Sequence, residues 1–319
     1  MRVVKLTYTD TNHAYYLNGK RCKGVTTVAK IPTDTYTLEQ WAQRQVAIGL
    51  AMDHNLVENV AVDLDNRDAL NTIVDKAKEV ASAHRAADRG TQMHRVLQLV
   101  LLDQEHKLLT EQQRRDAELL KRTLDRYKLT IYDALSEQFV VWPNHLVAGR
   151  FDAVLERPDG RLILTDLKSG PNAVLYPHAT AVQLALYARA PHISEHIHTR
   201  GDKTTIEDWR TMPDRLDRRS AYILLAEPEA DIGTLHEIDI EHGWAAASLA
   251  LQIVNWRKKH DGGKGITREI PPYPTFAEQA VLATSLDQLR QIWVEAKQAS
   301  ELTEDFQAVA LERSKEIGA

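Results

Sequence analysis

Residues 149–170, GRFDAVLERPDGRLILTDLKSG, constrain this chain more than any other segment. Two β-prone runs, 151–157 and 161–165, flank Pro158-Asp159-Gly160. That tripeptide predicts a three-residue hairpin loop, with proline preset for a type I turn and Gly160 supplying the left-handed residue after it. Arg157 then faces Arg161, and counting outward along both strands sets Asp152 opposite Asp166 on one face. Lys168, two residues beyond Asp166, joins that face. A two-residue Asp159-Gly160 loop would turn Asp166 to the other face, but Pro158 would then close the ladder with no N–H to donate. Opposed carboxylates repel unless positive charge sits between them. A divalent cation meets that need, and the neighbouring lysine points to hydrolysis. Neither run alternates cleanly: Val154 and Leu164 share the aspartate face, while Leu155 and Ile163 take the other. The hairpin is therefore expected to be central and covered on both sides.

Composition sets wide bounds. With 319 residues, 43% hydrophobic and 27% charged, the chain can bury a real core, as two domains or as one α/β domain with additions. A single cysteine, Cys22, excludes a disulfide framework and any all-cysteine cluster within the chain, so a reducing cytoplasm is expected. No run approaches the length of a membrane span, and the first residues lack a signal-peptide hydrophobic region. The net charge of −5 argues against a generic DNA-coating protein, yet leaves room for an enzyme with a local basic groove.

Along the chain, residues 1–35 read as an N-terminal β element with an Asn18-Gly19 hairpin signal. Helical periodicity runs from about 38 to 127, including apolar positions Leu70, Ile73, Val74, Ala77 and Val80, then Val96, Leu97 and Val100, and a further helix over 111–127. Strands dominate 134–167, followed by a helix near 179–190, a short buried strand at 222–225 and a helix over 241–259. The breaker-rich stretch 261–275 is expected as a linker between a core at 36–260 and a C-terminal helical hairpin at 276–319. In that hairpin, Ser285 and Gln288 offer a capping box. Leu289, Ile292, Trp293 and Ala296 form one stripe, and Phe306, Val309, Ala310 and Ile317 another, suited to a core or to a docking surface.

Phosphodiester hydrolysis needs an activated water and neutralised charge at phosphorus, which carboxylate-held magnesium or manganese supplies. Asp152 and Asp166 fit as ligands, and Lys168 can orient water or oppose transition-state charge. Two helices add to them. One carries Gly90-Thr91-Gln92-Met93-His94, where His94 offers a nitrogen ligand and Gly90 permits close approach. The other carries Gln183-Leu184-Ala185-Leu186-Tyr187, whose end residues share a helix face and offer hydrogen bonds to phosphate or to Lys168.

In GTQMH, Gly149-Arg150-Phe151-Asp152, Asp166-Leu167-Lys168 and Gln183-x-x-x-Tyr187, in that order, the sequence resembles the PD-(D/E)XK nucleases, and among them the RecB-type and phage exonuclease branch. Phe151 stands where the family name has proline. The resemblance implies an α/β, restriction-endonuclease-like core, a mixed central sheet flanked by helices, with helical additions. It implies that His94, Asp152, Asp166 and the carbonyl of Leu167 bind metal, that Lys168 is the catalytic lysine, and that Gln183 and Tyr187 support the site. Glu137 falls where many relatives carry a strand glutamate. The segment 13–28, HAYYLNGKRCKGVTTV, is similar to the opening of phage exonucleases in this group. The cysteines of the iron–sulfur members are missing, so no iron–sulfur cluster is expected.

The expectation is a magnesium- or manganese-dependent deoxyribonuclease, an exonuclease of recombination or repair acting in the cytoplasm, the host's if phage-encoded. DNA is its substrate, and a recombination partner could dock on the C-terminal helices. A structure-specific or single-strand endonuclease is the alternative within nucleases, and a non-catalytic DNA-binding scaffold the alternative outside them. Arg257, Lys258 and Lys259, with Lys264 and Arg268 nearby, form a candidate phosphate-binding stretch weighed against a solvated helix end. His192, His196 and His198 invite a zinc reading, which the lack of cysteine and a loop-like setting disfavour.

Overall fold

A computed structural model describes residues 5–62, 64–81, 85–169, 172–259, 266 and 273–318. In chain order the elements are β1 (Leu6–Thr9), β2 (Ala14–Leu17), β3 (Lys20–Gly24), α1 (Val25–Ala29), α2 (Tyr36–Met52), α3 (His54–Val62), α4 (Arg67–Val80), α5 (Arg85–Leu101) and α6 (Glu111–Arg126). Then come β4 (Thr130–Ile131), β5 (Phe139–Trp142), β6 (Val147–Arg150), β7 (Ala153–Glu156), β8 (Leu162–Lys168), α7 (Asn172–Leu175) and α8 (His178–Ala188). They are followed by β9 (His192–Ser194), β10 (His198–Arg200), β11 (Lys203–Ile206), β12 (Trp209–Arg210), β13 (Ser220–Glu227), β14 (Ile232–Asp239) and α9 (Ile240–Lys259). Helices α10 (Phe276–Leu282), α11 (Leu286–Gln298) and α12 (Glu304–Gly318) close the chain. Among the described residues no helix is long and apolar enough to cross a membrane.

Two compact units result, Met1–Lys259 and His260–Ala319. The first is a mixed α/β fold. One of its sheets has the order β14-β13-β8-β7-β4, with β13 parallel to β8 and the other pairs antiparallel. The other runs β10-β11-β1-β2-β3-β6-β5-β9-β12, with β3 parallel to β6. The N-terminal strands are thus built into this sheet, held by β3 on one side and by β11 against β1 on the other. Asn18 and Gly19 both take positive φ, 48° and 78°, as a tight hairpin between β2 and β3 requires.

The expected register of the central hairpin is found: Ala153 pairs with Thr165, Val154 with Leu164 and Leu155 with Ile163. Arg157 N–H donates to the Arg161 carbonyl at 2.9 Å, and Gly160 takes φ of 79°. Both faces are covered. Val154, Leu162 and Leu164 pack with α8 and α9, whereas Leu155, Ile163 and Leu167 pack with α5 and α6.

Several elements differ from expectation. The buried run at 222–225 belongs to the eight-residue strand β13, paired along its length with β14. The histidine-rich stretch is not loop but two short strands, because their backbones find partners in β5, β11 and β12. Among the described residues the C-terminal unit has three helices rather than two, since a capping box of Thr275 and Glu278 starts α10. Ser285 caps α11 through Gln288 N–H at 3.2 Å, but the Gln288 side chain turns back to Thr284 instead, so that box is incomplete. The two predicted stripes meet in this unit's core, where Leu289, Ala296, Phe306 and Ala310 are buried and Trp293 lies 5.3 Å from Phe306, ring to ring. Most of the expected linker, with Lys264 and Arg268, lies outside the described residues.

Candidate active site

The β7–β8 hairpin brings the acidic pair together at its open end. Asp152 lies one residue outside the ladder, and its Oδ2 accepts the Leu167 N–H at 3.0 Å. Asp166, within β8, is 4% exposed. Its Oδ1 accepts Gln183 Nε2 at 3.1 Å, which ties it to α8. Its Oδ2 is buried, and the Lys168 ammonium lies 2.5 Å from it. From the opposite side α5 delivers His94, whose Nδ1 is 3.3 Å from Asp152 Oδ2.

Burial sets the charge states, and the neighbours then sort them. For Asp166, burial together with the nearby Asp152 charge outweighs Lys168 and holds the carboxyl above its usual value. For Asp152, burial is overcome by the His94 hydrogen bond and charge, by the Leu167 N–H and by Lys168, so its carboxyl lies low. His94 and Lys168 are both raised: burial opposes their charge, but Asp152 and Asp166 more than compensate. Among the described residues no three histidine, cysteine or acidic side chains are placed together so as to hold a metal ion as they stand. The donor set nonetheless suits a divalent cation: hard carboxylate oxygens on Asp152 and Asp166, and the imidazole of His94.

The supporting helices are fixed locally. Met93, Val96 and Leu97 sink α5 into the core, and Arg89 grips Asp116 of α6 with two bonds of 2.6 and 2.7 Å. Gly90, one turn before His94, leaves room for Ser169: a Cβ there would be 3.2 Å from its hydroxyl oxygen. On α8, Tyr187 is fully buried against Phe151, and that burial holds its hydroxyl far above its usual range. Glu137 sits beside the pair. Its N–H donates to the Asp152 carbonyl at 2.9 Å and its carboxylate lies 3.3 Å from Arg150 Nε. Burial, opposed by Arg150, pushes its carboxyl up to about 7.

Other candidates lie elsewhere. Arg257, Lys258 and Lys259 form the exposed last turn of α9, and Lys258 lines a different hollow, with Asn18 and Trp209. His192 faces Trp209 at 6.5 Å and His196 lies 3.4 Å from Asp208, while His198 is on β10, so the three do not converge on one point.

The sequence reading did not find the cleft that leads to Asp152. It holds about 750 Å³ and is walled by Tyr8, Tyr15, Arg21 and Lys23 on the N-terminal strands and by Arg150 on β6. The Asn18-Gly19 signal located the hairpin, but only the remote β3–β6 pairing puts it beside the aspartates. Arg89 and Asp116 were missed for a similar reason, since nothing local marks a pair joined across two helices.

Residues 67–204 match the model of the PD-(D/E)XK nuclease superfamily. That span takes in His94, Glu137, Asp152, Asp166, Lys168, Gln183 and Tyr187, and leaves out the N-terminal strands and the C-terminal unit. No curated protein matches the chain.

Proposed function

We propose that the chain, whose residues 67–204 match the model of the PD-(D/E)XK nuclease superfamily, is a magnesium- or manganese-dependent deoxyribonuclease, acting as an exonuclease in recombination or repair. The observation that carries this reading is the carboxylate pair at the open end of the hairpin, with Lys168 Nζ 2.5 Å from Asp166 Oδ2 and His94 Nδ1 3.3 Å from Asp152 Oδ2. Asp152, Asp166, His94 and the Leu167 carbonyl would hold the cation. When bound, it supplies positive charge at the scissile phosphate and acidifies water. The protein's own groups do the rest. Gln183 pins one oxygen of Asp166 and the Leu167 N–H pins one of Asp152, so the remaining oxygens keep a fixed direction. Water adds to phosphorus as the P–O3′ bond breaks, its proton is given up to solvent, the departing 3′-oxygen takes one from solvent, and the Lys168 ammonium opposes the negative charge that builds there. Tyr187 and Phe151 close the site's inner wall to solvent. In this reading α11 and α12 serve a recombination partner, and the enzyme works in the cytoplasm.

The test is cleavage of end-labelled linear duplex beside closed circular duplex, with magnesium, with manganese and with EDTA. The expected result is metal-dependent loss of linear DNA alone, abolished by Lys168→Ala. Cutting of closed circles would replace the exonuclease with an endonuclease. Undiminished cleavage by purified Lys168→Ala would overturn the site assignment.

A further inference from the structure

The nine-stranded sheet curls back on itself, and the curl holds a hollow that the nuclease reading does not use. Strands β11 and β12 stand seven interstrand steps apart, which would span about 34 Å in a flat sheet. Only Glu207 and Asp208 join them, a link of at most about 11 Å from Ile206 to Trp209. The sheet must therefore bend around the apolar cluster that contains Leu6, Leu17, Val141 and Ile206. Leu17, Leu146 and Trp209 of that cluster also line a hollow of about 900 Å³. It shares no lining residue with the cleft at Asp152.

Strand register sets the chemistry of the hollow. Lys20 pairs with Leu17 and His192 with Val141, so each shares the face of its buried partner. Trp209 pairs with Ser194, two residues from His192, and its ring lies 6.5 Å from the imidazole, centroid to centroid. Lys258 joins them from the last turn of α9. Lys20 and Lys258 form no ion pair among the described residues. Three carboxylates complete the lining. Glu207 is taken by Lys5 at 2.8 Å and Asp208 lies 3.4 Å from His196, which leaves the exposed Glu195.

Two free ammoniums suit a phosphate, an indole suits a flat ring, and a free carboxylate suits an N–H on that ring. A longer strand would press further phosphates against Glu195, Glu207 and Asp208, which repel them. A single nucleotide carries one phosphate, one aromatic base and N–H groups on the base edge. The volume is that of a small-ligand site, of the kind found in the mouths of curled sheets. Breaking P–O3′, as the nuclease reading has it, releases this species. Resting on that reading, we infer that the hollow binds a deoxynucleoside 5′-monophosphate, the product of the reaction, apart from the acidic pair. Lys20 and Lys258 hold the phosphate, Trp209 stacks the base, and Glu195 accepts an N–H from it.

The experiment is calorimetric titration of the full chain in EDTA with deoxycytidine 5′-monophosphate, ribose 5-phosphate and inorganic phosphate. The nucleotide should bind at one site, and the two ligands that lack a base about tenfold more weakly or less, because stacking is lost. K20A/K258A should melt with the wild type and bind the nucleotide at least roughly tenfold more weakly. K168A, at the acidic pair, and K297A/K315A, which removes the same charge from exposed positions of α11 and α12, should bind it like the wild type. No binding, binding that K168A abolishes and K20A/K258A does not, or phosphate bound as tightly as the nucleotide overturns the inference, while cleavage by the wild type still upholds the nuclease. A wild type that binds the nucleotide through these two lysines but cuts no DNA upholds the hollow and overturns the nuclease reading.

Discussion

Replacing Gly149 with alanine should damage stability and activity together, for one steric reason. A Cβ at this position would lie 2.8 Å from Tyr187 Cε1 and 2.9 Å from both Cβ and Cγ2 of Val25. Ordinary carbon contacts begin near 3.5 Å, so ring and valine must each retreat by roughly half an ångström. Neither can do so freely. Val25 is 1% exposed, and the Tyr187 ring is held against Phe151 with centroids 5.8 Å apart. Overpacking of this kind costs about 1–3 kcal/mol. For a unit of this size that is a fall of roughly 2–12 °C in melting temperature. Tyr187 shares its helix with Gln183, the residue that orients Asp166, and Gly149 lies three positions before Asp152. The strain therefore passes to both carboxylates, and displacements approaching 1 Å cost up to about 100-fold in rate. The assay pairs calorimetric melting with single-turnover cleavage. Gly90→Ala is the comparison: its Cβ meets only the Ser169 hydroxyl, at 3.2 Å, which can rotate away, and a helical alanine gains about 0.5–1 kcal/mol over glycine. A Gly149→Ala protein that melts and cuts like the wild type, or one no worse than Gly90→Ala, would refute the reasoning.

Two further outcomes follow from burial. Glu137 is pushed up to about 7, and Asp166 and His94 are also raised, so each contributes stability that is fully present below its unfolded value and lost as pH climbs through its folded one. The metal-free protein should therefore melt progressively lower between about pH 5 and pH 8. Glu137→Gln should flatten that slope, and magnesium fixed at about 100 times its dissociation constant at pH 8 should add roughly 2.7 kcal/mol there and less at pH 5. A pH-independent melt would contradict this account. In the unit His260–Ala319, Phe306 is 1% exposed between Trp293 and Phe276. Phe306→Ala should cost about 3–5 kcal/mol, comparable to all that so small a core supplies. Rapid proteolysis within 273–318 is expected, and a wild-type digestion pattern would count against it.

What could be read in advance depended on sequence distance. Proline and glycine in the 158–160 loop were enough to give the register, and the unalternating valines and leucines around them announced a strand buried on both faces. His94 and Gln183 were legible because short motifs on helices keep their spacing wherever the helix docks. Contacts made by remote pairing were not legible. Arg150 meets Glu137 and Tyr8 only after β5, β6 and the N-terminal strands come together. Short polar strands such as β9 and β10 carry too little periodicity to be told from loop, and α10 was hidden beside a run of prolines although Thr275 and Glu278 spell out its start.

The pairing of β1 with β11 also sets an order of events during synthesis. Leu6 must wait for Ile206 before its outer edge is covered. At about 5–20 residues per second, those 200 intervening residues take roughly 10–40 s to emerge from the ribosome. The β7–β8 hairpin needs no such delay, since its partners are joined by a three-residue loop. A nascent chain therefore carries its acidic pair in register well before the outermost N-terminal strand is sealed. For that interval the bare edge of β1 is open to strands of neighbouring chains, and crowded expression is where this protein would first misassemble.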